Sequence, residues 1–169
     1  MKNIIIRIII SILVILVISA CSEDEESTTI TYTCTGSSSG SGPTIGGVTL
    51  KEATYTQGTN SFTFVNSTSA NHVLSGQTPF CYTIDVTSTT ASILKTNSAN
   101  TGNATIGGQS VTGYDNVTAY YTIMTGSPAT YHMYIFADND SAFYLNAWGH
   151  SSKSSADAVY VLSKLYTEQ

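Results

Sequence analysis

The chain has 169 residues, 41% of them apolar and only 10% charged, with a net charge of −5. Beyond the first twenty residues four lysines face eleven acids, a balance that repels phosphate and excludes the basic stripe a nucleic-acid binder needs. Threonine, serine, tyrosine, glycine and asparagine supply most of the polarity, which favours strands and turns over surface helices.

Lys2 and Arg7 precede an apolar run from Ile8 to Ala20. That run is shorter than the roughly 20 residues a membrane helix needs and suits the apolar region of a signal peptide. It ends Val17-Ile18-Ser19-Ala20-Cys21, with an apolar residue and two small residues close before a cysteine. This resembles the lipobox of bacterial lipoproteins. The resemblance implies diacylglycerol transfer to the Cys21 thiol, cleavage after Ala20 and acylation of the new amine. The membrane is then a partner through two or three acyl chains, enough for durable anchoring. Ser22-Glu23-Asp24-Glu25-Glu26 follows and is similar to the acidic export signal of surface lipoproteins of Bacteroidota. That likeness implies lipid anchoring in the outer membrane with the protein facing outward. Read as composition alone, the same run is a solvated acidic tether.

The expected organisation is a signal peptide over 1–20, a lipidated acidic and Gly/Ser-rich tether over 21–47, and a β-rich domain over 48–169. Thr28 to Cys34 reads as a short strand or an extended arm, and Thr35 to Gly47 as a flexible linker. Val48 to Thr56 predicts a strand, closed by the turn cluster Gln57 to Asn60. Phe62 and Phe64 alternate with polar neighbours, and a short run surrounds His72-Val73-Leu74. Phe80, Tyr82, Ile84 and Val86 alternate with Cys81, Thr83, Asp85 and Thr87, the period of a half-buried strand. Ala91 to Lys95 is expected as its hairpin partner, with a loop over Asn97 to Asn103. Val117 to Met124, Thr130 to Ala137 and Ala142 to Trp148 are the strongest strands, separated by turns. In the last segment Ser154 or Ser155 could cap a helix, but Tyr160 and two valines favour a closing strand.

Eight to ten short strands in about 120 residues predict an all-β fold, an antiparallel meander closing into a barrel or a β-sandwich. The rhythm of strands and Thr/Asn/Gly turns is similar to that of lipocalin-like lipoproteins, which implies an up-and-down barrel. Thr-Ile-Gly-Gly occurs at Thr44 to Gly47 and again at Thr105 to Gly108. The flanks differ, so this is shared turn chemistry and not a repeat.

With Cys21 lipidated, Cys34 and Cys81 are left in an oxidising compartment, where a disulfide is expected. His72, His132 and His150 lack the spacing of zinc ligands, and Asp138-Asn139-Asp140 lacks the glycine and distal glutamate of a calcium loop. No metal, cofactor or catalytic residue is therefore nominated, and no nucleophile elbow or phosphate loop is present. The aromatics are more informative. Tyr131, Met133 and Ile135 oppose His132, Tyr134 and Phe136, while Phe143 and Leu145 oppose Tyr144 and Trp148. One face must fill the core, and the other is either covered by a second layer or presented to a ligand. Tyr134, Tyr144 and Trp148 are the candidate ligand-binding residues. The leading expectation is a non-catalytic module for a small apolar ligand, a glycan or an envelope protein. The alternatives are a structural or adhesive component without a pocket, and an enzyme of unrecognised type.

Overall fold

The computed structural model describes residues 33–169 except 98, 100, 107, 127, 128, 147 and 148. The leader, Cys21 and the acidic run lie outside the described residues, as does Trp148. A small hairpin, β1 (Thr44–Ile45) and β2 (Val48–Thr49), comes first. It is followed by β3 (Thr54–Gln57), β4 (Asn60–Asn66), β5 (Ser69–Val73) and β6 (Phe80–Thr96). A second hairpin, β7 (Asn103–Ile106) and β8 (Gln109–Thr112), precedes β9 (Tyr114–Gly126), β10 (Thr130–Asn139) and β11 (Ala142–Leu145). Then come a short helix α1 (Lys153–Asp157), β12 (Val161–Leu162) and β13 (Lys164–Glu168).

The fold is all-β, as the alternation requires. β3, β4, β5, β6, β9, β10, β11 and β13 pair in that order, each pair antiparallel, and β13 returns to β3. The hydrogen bonds thus form a closed, barrel-like ring with up-and-down connections. β12 lies outside the ring, parallel to β6 at Leu94 and Lys95.

Short-range chemistry explains the connections. Ile45 pairs with Val48 across Gly46 and Gly47, both at positive φ (60° and 87°), the backbone that a two-residue type I′ turn demands. A side chain at Gly46 would start 2.7 Å from the Tyr120 ring, so glycine is required there twice over. The second Thr-Ile-Gly-Gly also enters a hairpin, with Ile106 paired to Gln109 and Gly108 at positive φ (83°).

Two expectations need correction. Ala91 to Lys95 is not the hairpin partner of Phe80 to Thr87. It is the continuation of β6, whose register with β9 merely shifts between Val86 and Thr90. The intervening Thr87-Ser88-Thr89-Thr90 holds no glycine, proline or asparagine with which to reverse the chain. The last segment supplies the closing strand that its residues favour, after a short helix. Ser152 caps α1, its side chain accepting from the Ser155 amide, and β13 then completes the ring. Upstream of Val48, in the stretch expected to be linker, Pro43 and Ile45 are buried. The Glu52 carboxylate accepts from the Ser39 and Gly40 amides and the Ser38 hydroxyl at 2.8–3.1 Å, holding that stretch to the domain.

Alternation on β9, β10 and β11 sends side chains to two separate cores. Met124, Met133, Ile135, Phe143 and Leu145 point inward and join Tyr55, Phe62, Phe64, Tyr82, Ile84 and Tyr166. Tyr121, Tyr134 and Tyr144 point outward. They are covered because β6 and β9 run on beyond their register shift, and Ile93, Ala119, Ala156 of α1 and Leu162 of β12 pack over them.

Cys34 and Cys81 form a disulfide with a sequence separation of 47. Cross-linking a loop of that length removes about 4 kcal/mol of denatured-state entropy in the chain model. The Cys34→Ser/Cys81→Ser double variant is expected to lose stability of that order in urea denaturation while keeping the β-type circular dichroism of the native protein.

Candidate functional site

The register of the strands gives the barrel two ends. At one end lie the β10–β11 turn, the chain terminus and the β1–β2 hairpin. That end is sealed. Ile45 and Leu50 are buried in the inner core. The Lys51 amide donates to the Asp140 carbonyl at 3.1 Å, and the Tyr55 hydroxyl donates to the same carbonyl at 2.7 Å. Burial raises the pKa of that hydroxyl above the usual tyrosine range, so it remains a donor at neutral pH.

The middle of the barrel is filled. Phe143 and Tyr166 stack with ring centroids 5.0 Å apart, and Tyr55, Phe62 and Phe64 meet Phe143 at 5.3–5.9 Å. These aromatics come from β3, β4, β11 and β13. Between them and Met124, Met133 and Ile135 only about 10 Å³ is left empty.

The opposite end is the mouth. A cavity of about 180 Å³ opens there, lined by Phe62, His72, Leu74, Met124, Tyr131 and Met133, with Gly149 at its rim. The cavity arises where the large rings give way to methionine and leucine. Gly149 is at positive φ, and a side chain there would start 2.3 Å from the Tyr131 ring, so the rim cannot close over the opening by substitution. His72 is the polar exception. It is only 5% exposed, and its ring stacks on Phe62 at 4.1 Å, nearly parallel. Burial lowers its pKa to about 4, so the imidazole is neutral at physiological pH. Tyr82, behind it, is pushed up to about 12 by burial and by its contact with Tyr131. The cavity is therefore apolar and uncharged, which suits it to hold an apolar ligand.

The candidate residues lie elsewhere. Tyr134 and Tyr144 are buried at 3% and 6% exposure in the outer core, the covered-layer outcome of the two possibilities their alternation left open. Tyr144 lies beneath the Lys95 ammonium, which is 5.2 Å from its ring centre and bonded to Asp138 at 2.6 Å. Tyr134 reaches the surface only through its hydroxyl, which donates to Asp157 at 2.8 Å and accepts from Lys153 at 3.3 Å. Lys153 also binds both Asp157 oxygens at 2.8 and 2.9 Å, which holds that carboxyl below its usual range. The pair sits in a cleft of about 310 Å³ between β6 and the α1–β12 segment. His132 and His150 exchange backbone hydrogen bonds, 2.8 and 3.2 Å long, and His132 contacts the Tyr121 hydroxyl through Nδ1. Among the described residues no three of His, Cys, Asp and Glu gather into a metal-binding group.

Sequence reasoning overlooked the mouth because its residues come from β4, β5, β9, β10 and the segments after β5 and β11, with no shared motif. His72 had a faint signal, a lone histidine on the apolar side of a short alternating run. No protein-family model, curated protein or solved structure matches the chain.

The buried histidine makes stability depend on pH in a defined direction. An unfolded imidazole titrates near 6.5 and the folded one near 4. Between those values the unfolded chain binds the extra proton, so stability is full above pH 6.5 and falls as pH drops toward 4, by roughly 3 kcal/mol at most. In urea titrations from pH 7 to pH 4, His72→Phe is expected to flatten this part of the profile relative to the parent protein.

Proposed function

We propose that this chain is a membrane-anchored, surface-facing lipoprotein whose barrel binds a small apolar ligand at its mouth, without catalysis. The mouth cavity carries this reading. Its lining is aromatic, aliphatic and thioether, its one imidazole is neutral, and the barrel interior behind it is filled. Its volume of about 180 Å³ sets the ligand's size. Apolar cavities of about 150 Å³ take benzene-sized molecules, whereas drug-sized ligands fill roughly 300 Å³ or more. The ligand is therefore a small hydrocarbon or aromatic, or the apolar end of a longer molecule whose remainder stays in solvent. Met124 and Met133 adapt to different shapes within that limit.

The anchor part of the proposal rests on the lipobox-like Val17-Ile18-Ser19-Ala20-Cys21 and the acidic residues after it. The disulfide between Cys34 and Cys81 agrees with export to an oxidising compartment.

Toluene tests the cavity. A ligand that binds only the folded state raises the melting temperature in proportion to its concentration over Kd. Toluene at near-saturating concentration is expected to raise it in the parent protein and not in Leu74→Trp, whose indole occupies the mouth. Equal shifts in both, or none in the parent, would remove the cavity as a binding site. Mass spectrometry of the chain recovered from membranes tests the anchor. Loss of residues 1–20 with acyl mass on Cys21 is expected, and Cys21→Ser should carry no acyl chain and be found in the soluble fraction.

A further inference from the structure

The cleft between β6 and the α1–β12 segment is separate from the mouth, and its chemistry differs. Ser92 and Ile93 of β6 form one wall, and Tyr160 stands on the other with 67% of its surface exposed, the one large hydrophobic so exposed among the described residues. At the floor, Lys153 and Asp157 hold each other and the Tyr134 hydroxyl in one network. Both charged side chains are nearly half exposed, so each keeps hydrogen-bonding capacity toward the cleft. The network rests on the outer core, with the Lys153 ammonium 5.2 Å from the Tyr121 ring centre and 5.8 Å from that of Tyr134, and is thereby fixed in position.

We infer that this cleft is a binding subsite for a neutral saccharide. An anion approaching Lys153 meets Asp157 at bonding distance beside it, and a cation approaching Asp157 meets Lys153. A pair of neighbouring hydroxyls suffers neither penalty, because each hydroxyl both donates and accepts. One can donate to the carboxylate while the next accepts from the ammonium, and both bonds are charge-assisted. The exposed Tyr160 ring adds the second half of the match, an apolar face with a polar tip on which the C–H face of a pyranose can lie. A volume of about 310 Å³ is at the lower end for small-molecule sites and holds one sugar ring with its hydroxyls. The chain's acidic balance selects further against anionic polysaccharides.

The test uses the exported chain in detergent solution with three neutral probes, cellotetraose, chitotetraose and maltotetraose, followed by saturation-transfer NMR and calorimetry. At least one binds. Tyr160→Ala weakens that binding about tenfold, as loss of one aromatic platform implies, while Tyr160→Phe retains it. Asp157→Asn weakens it too, with the melting profile checked to show that the outer core is intact. Leu74→Trp, which occupies the mouth, leaves it unchanged, so this result stands or falls apart from the apolar site. Absence of binding by all three probes at millimolar concentration overturns the assignment. So does a Tyr160→Ala variant that binds as tightly as the parent.

Discussion

Closure of the ring is the constraint on which the rest of the molecule depends, and it is made by a narrow seam. β13 meets β3 through only two registered pairs, Thr167 with Thr56 and Glu168 with Tyr55. Without them β3 and β13 would each present a row of unpaired backbone groups, the usual route to association through sheet edges. The Gln169 amide adds one bond to the Thr54 carbonyl at 3.0 Å, and Lys51 binds Glu168 at 2.7 Å. An ion pair so exposed contributes little in water. The seam holds chiefly because Tyr55 and Tyr166 are wholly buried beneath it, against Phe143 and Phe62. The same rings that close the barrel also fill half of it. The empty volume is displaced to the far end, where β9 and β10 supply methionines instead.

Much of this architecture is written in local alternation. Tyr82 and Ile84 face inward as their spacing with Phe80 and Val86 requires, and Met133 and Ile135 do the same in β10. The pair Gly46-Gly47 forms a turn because both positions need a positive φ that glycine adopts most readily. The continuity of β6 was also legible in principle, since a run of threonine and serine without a turn residue is poor material for a hairpin. What alternation does not convey is which elements come to lie over the outward face. Tyr134 and Tyr144 have the spacing of exposed residues. They are buried because a strand extension from one part of the chain and a short helix from another meet above them.

The two candidate sites differ in how far they could be read. Tyr160, between Val159 and Val161, reads as strand material and not as an exposed ring, and only Lys153 and Asp157, at helical spacing, left a local trace of the cleft. The mouth left almost none. His72 belongs to it because the β4–β5 register sets it directly opposite Phe62, which lays the imidazole on that ring. A cavity is a statement about volumes that fail to meet, and single-residue patterns carry no such information.

The bridge at Cys34 has a mechanical side. Cys34 is bonded to Cys81, and Cys81 lies in the β6 ladder opposite Asn71 of β5. Tension applied upstream of Cys34 enters the barrel at Cys81 directly and bypasses residues 35–80. The small hairpin and the Glu52 clasp both lie within the bypassed stretch. Force is delivered instead into β6, the longest strand among the described residues, which is paired along most of its length with β9. The tether is thus fastened to the most extensively paired strand of the ring and not to the two-pair closure between β3 and β13.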